Sequence, residues 1–333
     1  MAKGITRFNV VQANAFIGMG TNPFGAVWFV NGDTGVDGNT GTVNRPFATI
    51  QRAVDVSSAY DTVVVQPKLM AAGATDPESY AETIIIPATT PNLTIMGIGN
   101  RTQGGLPQIK IGGSSTTAML TIRAPGCSIQ NLGFNGASST GGGILLDDDG
   151  STKTAFGTEI ANCHFKNCQA SGNASTGGAI MWAATGGAWQ VLIRDNLFYN
   201  CRAGIVLIGT SSSRPQDVVI ERCTFHASAN TTIDCDLFLS GGSGIDGLTI
   251  NDCQFGAVDV PAYASSPAAA RYVSLTGCEG HITNCTFACI SEGGSAKTFG
   301  DAGTGGIVPT TVRMSACYGE SATADTSGEI FRT

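Results

Sequence analysis

The side chains best suited to chemistry here are acidic and aromatic. Asp147, Asp148 and Asp149 form the densest acidic run in the 333-residue chain. Two carboxylates roughly 5–10 Å apart can hydrolyse a glycoside. A base assisted by carboxylate-bound calcium can instead eliminate across one. The run has no defined partner in the sequence, and a solvated turn closing a strand is the plainer expectation. Asp234 and Asp236 flank Cys235 and make a second acidic candidate. Asp33, Asp37 and Asn39 have oxygen-ligand spacing somewhat like a calcium loop, without the bidentate Glu of an EF-hand. An Asx-turn-rich loop competes with that reading. Trp182, Trp189 and Tyr199 are candidates for stacking on sugar rings or packing against another subunit.

Other chemistries find less support. Cys163, His164 and Cys168 are close in sequence, but no second Cys-x-x-Cys pair follows, as a zinc site would need. His164 falls at an outward position of a repeat and has no acid at known distance. No phosphate-cradling glycine loop or serine-nucleophile motif occurs. The formal net charge is −7 and no window clusters Lys and Arg, which argues against nucleic acid as a partner. No apolar run approaches the length of a membrane span. Met1 to Arg7 is not followed by the apolar stretch of a signal peptide. The expected product is therefore made in a cytoplasm, and its eleven cysteines are expected to stay reduced. No cofactor is expected.

The elements that must position these residues come from a repeat. The phrase is an aliphatic, a variable residue, often Asn or Asp, then Cys, a variable residue and Phe. Copies start at Ile129, Ile160, Ile193, Ile220, Ile250, Ile282 and Met314, spaced 27 to 33 residues apart. A second apolar patch recurs between them, often after glycine, as in Gly143-Ile144-Leu145-Leu146 and Gly204-Ile205-Val206-Leu207. Neither patch has the 3.6-residue period of a helix. Strand, one-residue bend and strand would place the aliphatic, Cys and Phe inward. Asn or Asp suits the bend because it tolerates a left-handed backbone.

About thirty residues with short strands and no helix describe one coil of a parallel β-helix, whose apolar face is buried only by stacking. Cys163, Cys223, Cys253, Cys285 and Cys317 then form an internal thiol ladder. Phe134, Phe165, Phe198, Phe225, Phe255 and Phe287 form a parallel aromatic one. Looser coils at Thr62–Val65 and Leu93–Met96 bring the expected total to about nine, a rod on the order of 40 Å long at about 4.8 Å per coil. An open first coil would be an aggregation-prone edge. Residues 46–58, with Pro46 at the start and Phe47, Ile50 and Val54 on one face, are expected to form a short capping helix. The expected organisation is an arm over 1–27, a lead-in and cap over 28–60, the β-helix over 61–318 and a short polar tail over 319–333.

Several of these segments carry a resemblance. Phe29-Val30-Asn31-Gly32-Asp33, Asp37-Gly38-Asn39-Thr40-Gly41, Arg45-Pro46-Phe47-Ala48-Thr49-Ile50-Gln51-Arg52-Ala53-Val54, Asp61–Val65 and Tyr80–Ile84 resemble the opening of right-handed parallel β-helix proteins of the pectate-lyase-like superfamily. The resemblance spans roughly 28 to 318 and implies an all-β solenoid. The opening Met1–Val10, followed so soon by a β-helix, is similar to bacteriophage virion proteins of the tailspike or head-spike type. That likeness implies a virion protein that forms a homotrimer, and the want of a convincing catalytic set points to one without enzymatic activity. It also implies contact with other phage structural proteins through the N-terminal arm, and with a host-surface glycan. Such spikes commonly end in a long C-terminal domain, which this pattern lacks. The superfamily also implies a second possibility, a polysaccharide depolymerase acting as hydrolase or lyase.

Overall fold

The computed structural model describes residues 25–99, 105–111, 118–136, 142–150, 154–168, 178–182, 189–208, 215–226, 235–239, 244–256, 271–287, 306–319 and 328–332. They form an all-β, right-handed parallel β-helix. The first sheet stacks Val27–Val30, Thr62–Val65, Thr94–Gly97, Ser128–Gln130, Glu159–Ala161, Leu192–Arg194, Val219–Glu221, Leu248–Asn251, Gly280–Thr283 and Val312–Gly319. The second stacks Ser79–Ala81, Gln108–Lys110, Gly133–Asn135, His164–Lys166, Leu197–Tyr199, Thr224–His226, Gln254–Phe255 and Thr286–Phe287. The third runs from Ile84–Ile86 through Leu120–Ile122, Ile144–Leu146, Ile180–Trp182, Ala203–Val206, Cys235–Phe238 and Arg271–Ser274 to Gly306–Ile307. With eight strands in the third sheet, the described residues complete eight three-strand coils, one fewer than expected, flanked by an extra strand at each end.

Register follows the repeat phrase. Ile160 pairs with Ile129 and Ile193, and Phe165 with Phe134 and Phe198. The bend falls on Asn131, Asn162, Asp195, Arg222, Asp252, Asn284 and Ala316, all with φ between 50° and 57°. Five of the seven are Asn or Asp, whose short polar side chains ease this left-handed conformation. Arg222 and Ala316 adopt it without that help, and the Arg222 N–H donates to the Asn251 carbonyl of the next coil at 3.0 Å.

Inside, like stacks on like. The rings from Phe134 to Phe287 are parallel within 4° to 9°, with centroids 4.7 to 5.0 Å apart. Gly143 and Gly204 explain the glycine before the third-sheet patch. A Cβ at Gly143 would lie 2.9 Å from Phe165, and one at Gly204 would lie 2.5 Å from Phe225. Ten cysteines among the described residues are free and buried. The thiol column includes Cys223, Cys253, Cys285 and Cys317, all buried and free. Burial pushes the Cys127 and Cys278 thiols up to about 12, so they are poor nucleophiles at neutral pH.

Two positions depart from the pattern, and one is Leu132, which fills the cysteine place in the third coil. Asn196 replaces cysteine in the fifth coil and is fully buried. Its Oδ1 accepts from the Cys163 N–H at 2.8 Å, and its Nδ2 donates to the Ile160 carbonyl at 2.9 Å. The thiols reach the equivalent carbonyls of their preceding coils at 3.6 to 3.8 Å.

The cap forms, with a later start than expected. The helix is Ile50–Val56, and Thr49, not Pro46, is its N-cap, accepting from the Arg52 N–H. Pro46 and Phe47 instead continue an extended segment, where Phe47 exchanges backbone hydrogen bonds with Phe29 and Asn31 and covers the edge of the first strand. Glu82 reaches over from the first coil, its two carboxylate oxygens accepting from the Ile50 and Gln51 N–H groups. Residues 1–24 of the expected arm lie outside the described residues. The expected tail contains a strand: Gly328–Arg332 pairs antiparallel with Val312–Gly319.

Candidate functional site

The acidic run sits where the third sheet leaves its strand Ile144–Leu146. Asp147 accepts from Arg123 at 3.0 Å, pairing with the preceding coil. Asp148 accepts from the Gly150 N–H at 2.8 Å and forms an isolated bridge with Thr154. Asp149 is exposed. Two of the three carboxylates thus close the turn and tie it to its neighbour. Asp236 is buried within the strand Cys235–Phe238, and Asp234 lies outside the described residues.

The calcium candidates are used by the lead-in loop itself. Asp37 accepts from the Ala48 and Thr49 N–H groups at 2.9 and 3.0 Å and from the Thr49 hydroxyl at 2.9 Å. Asn39 donates to the Pro46 carbonyl at 2.9 Å. Asp33 accepts from the Leu69 N–H at 2.7 Å. These side chains fasten the loop to the helix start and to the segment after the first coil's opening strand. The local Asx-type turn of this loop is made by Asn31, whose Oδ1 accepts from the Asp33 and Thr34 N–H groups at 2.9 and 3.1 Å.

Trp182 corrects an expectation. Its ring is 6% exposed and belongs to the core, because its strand alternates Ile180 and Trp182 inward with Met181 between. It cannot serve as an outward platform. Trp189 is half-buried at the corner before the first sheet, its carbonyl accepting from the Gly157 N–H. Tyr199 is half-buried on the outer face of the second sheet, edge-on to His226 with centroids 4.8 Å apart.

Two constellations emerge only once the coils are stacked. The first is a charge ladder beside the left-handed bend. Glu159 accepts from Arg194 at 2.6 Å, and Arg194 also reaches Asp195 at 3.1 Å. Arg222 grips both oxygens of Asp195, at 2.9 and 3.0 Å, and also holds Glu221 at 2.8 Å. The Arg222 guanidinium, aided by Arg194, holds the Asp195 carboxyl below the usual carboxylate range. These acids are fixed as anions by bidentate and bridging arginines, a geometry for cohesion between coils rather than proton transfer. Glu221 and Arg222 are adjacent in sequence, whereas the bridge to Asp195 needs the register.

The second constellation is an outward column on the second sheet. Ala81, Lys110, Asn135, Lys166, Tyr199 and His226 are successive register partners over six coils. Each is the third residue of its strand, and the middle residue is buried against the core. Lys166 is ion-paired at 3.0 Å with Asp76, ninety residues earlier in the chain. The neighbouring column brings His164, half-buried, between Gly133 and Leu197. Tyr199 was the only member of the first column visible as a candidate in the sequence.

No protein-family profile matches the chain, and no curated protein sequence does. Among solved structures it is similar to an alginate lyase from Paenibacillus sp. strain FPU-7, with 16% identity, TM-score 0.45, and 72% of this chain and 73% of that one covered. It is similar to a pectin methylesterase from carrot, with 15% identity, TM-score 0.44, and 91% and 85% covered. It is also similar to ORF18 of Geobacillus virus E2, with 12% identity, TM-score 0.46, and 86% of this chain and 62% of that one covered.

Proposed function

We propose that this chain is a structural protein of a bacteriophage particle: a homotrimeric β-helical spike that attaches the particle to a host-surface glycan or decorates it. Its place would be the virion, with residues 1–27 contacting other phage structural proteins. The virion assignment is supported by the resemblance of the opening segment to phage spikes. The non-catalytic assignment is carried by one observation: Asp147, Glu159, Asp195 and Glu221 are each held by an arginine. Arg222, aided by Arg194, holds the Asp195 carboxyl below the usual carboxylate range, which works against its serving as a general acid.

Immunogold labelling of purified particles with an antibody to this chain tests the assignment. Label on the tail tip or the head supports it, and separates attachment from decoration. Particles without label overturn it. Sedimentation equilibrium tests the trimer separately. The rival reading is a polysaccharide depolymerase. It would be established by release of new reducing or unsaturated ends from a bacterial surface glycan, lost on alanine substitution of Asp149 or Asp236.

A further inference from the structure

The stacking of coils sets buried thiols beside one another. Cys223, Cys253, Cys285 and Cys317 hold the same place on consecutive coils, because the residues on either side of them are register partners. All four are free. They also share one orientation. Each thiol donates to the carbonyl two residues before it, at 3.2 to 3.4 Å. Cys223, Cys253 and Cys317 also reach a carbonyl of the preceding coil, at 3.6 to 3.8 Å. The same bonds made on each coil repeat the sulfur at the strand spacing, about 4.8 Å. Cys168 and Cys201 form a second set. They lie two residues beyond the register partners Lys166 and Tyr199, and their thiols donate to the carbonyls of those residues at 3.8 and 3.7 Å. Packing alone does not demand sulfur in the longer column, since Leu132 fills the same place in the third coil and is fully buried.

We propose that these stacked thiols bind a soft monovalent cation of the copper(I) kind: one between Cys223 and Cys253, one between Cys285 and Cys317, and one between Cys168 and Cys201. The donor set selects the class. Among the described residues, no three His, Cys, Asp or Glu side chains meet as a metal cage. Zinc needs about four donors and calcium about six to eight oxygens, so neither suits a pair of sulfurs. Thiolate ligands favour copper(I). The spacing fits as well. Two thiolate–metal bonds of about 2.3 Å in line span ~4.6 Å, close to the distance from coil to coil. Side chains stand roughly perpendicular to the sheet, so a cation on the column axis meets each sulfur nearly square to its C–S bond. Charge suits an apolar core. One thiol of each pair loses its proton to solvent as the cation enters, both sulfurs ligate, and the pair stays neutral. No electron is transferred. Local opening of the coils admits the cation, and once bound it clamps two coils together across the core. Cys163 is the built-in exception. Its neighbours in the column are Leu132 and Asn196, so it has no second sulfur. The cation site and the spike reading do not depend on each other.

The test uses the full chain, reduced and kept free of oxygen. It is loaded with copper(I) as the acetonitrile complex and desalted in the presence of a competing copper(I) chelator. The unaltered chain should retain copper. Cys253→Ala, Cys285→Ala and Cys201→Ala should each retain one equivalent less. Cys163→Ala should retain as much as the unaltered chain. Asn196→Cys, which gives Cys163 a sulfur neighbour, should retain one equivalent more. X-ray absorption at the copper edge should show two sulfur neighbours and no nitrogen or oxygen. Circular dichroism before loading shows which variants fold, and X-ray absorption on the unaltered chain decides the matter where a variant does not. Loss of all copper to the chelator overturns the proposal. Equal loss in Cys163→Ala and Cys253→Ala overturns it too, because copper would then follow thiols without regard to stacking. Nitrogen or oxygen neighbours place the copper on surface side chains and also overturn it. Particles without immunogold label remove the virion reading and leave this result untouched.

Discussion

Replacing Asn196 by cysteine should destabilise the protein even though cysteine is the residue the repeat favours there. Cys163, Cys223, Cys253, Cys285 and Cys317 fill this column in most other copies of the repeat, with Leu132 in the third coil, so a consensus argument predicts a gain. The hydrogen bonds predict a loss. Asn196 both donates to the Ile160 carbonyl and accepts from the Cys163 N–H. A thiol can keep a weak version of the first, as Cys223 does towards Ile193 at 3.8 Å. It cannot replace the second well, because sulfur is a poor acceptor. The Cys163 N–H would then be left buried without its amide partner, at a cost of about 1–3 kcal/mol. Asn and Cys are close in size, so no large cavity confuses the result. Urea unfolding followed by circular dichroism gives the midpoint, and the slope shows whether the exposed surface changed. Hydrogen exchange at Cys163 locates the effect, since a solenoid transmits strain mainly between neighbouring coils. Cys253→Ala is the control: it removes one packed sulfur and should cost about 1 kcal/mol, in line with other small core deletions. An Asn196→Cys variant as stable as the original, with unchanged protection at Cys163, would refute this account of the column.

Other outcomes follow from the same structure. Phe198→Ala should cost about 3–5 kcal/mol by denaturant unfolding, and Phe198→Leu about 1–3 through the two lost ring stacks. Asp37→Ala should lower stability by about 2–3 kcal/mol, through loss of charge-assisted bonds to Ala48 and Thr49, with faster hydrogen exchange over 48–56. Calcium or EDTA should leave Tm unchanged, since Asp33 and Asp37 are engaged by backbone donors. Asp195 has a folded pKa below its unfolded value of about 3.9, so its stabilising share is present above that pH and disappears as pH falls through the folded value. Arg222→Gln should therefore lower Tm at neutral pH, and the gap to the unaltered protein should close below about pH 4.

The fold was legible in the sequence because each coil poses the same packing problem and solves it with the same residues. An aliphatic, a left-handed Asn or Asp, a cysteine and a phenylalanine sufficed to set strand, bend and inward face, and the register then followed. The outward column of the second sheet was not legible in that way. Outward positions are free of the packing constraint, so Lys110, Asn135, Lys166 and Tyr199 share no residue type that would mark them as one column. Asp76 and Lys166 are ninety residues apart, and only the coil count brings them together. Trp182 misled for a related reason. It was a candidate for stacking on sugar rings, whereas the alternation Ile180, Met181, Trp182 within a three-residue strand turns the ring inward. The Asp147–Asp149 run was read as a turn because it lacked a sequence partner; its partner, Arg123, is one coil earlier in the same sheet and emerges from the register alone.

The two ends of the rod are finished differently, and this bears on how a spike of this kind would be mounted. At the N-terminal end the first strand does not offer a bare edge. Phe47 bonds to Phe29 and Asn31, the Phe29 N–H donates to Gly41, and the helix Ile50–Val56 buries Ile50, Ala53 and Val54 against the coil. Glu82 fastens the helix from the first coil. A sealed end of this kind is suited to stand free or to meet a partner through side chains. At the other end Val312–Gly319 runs across both first and second sheets and then accepts Gly328–Arg332 antiparallel. The antiparallel strand ends the stacking of coils, because a further parallel coil has no matching edge to join. It also carries the next edge of backbone donors and acceptors outward, where another chain can add by strand pairing. If the trimer exists, this edge is the place where main-chain pairing between copies should be sought, and truncation before Gly328 should weaken assembly while leaving the Phe134–Phe287 stack intact. A truncated chain that assembles as well as the full one would move the subunit contacts to the flanks of the coils.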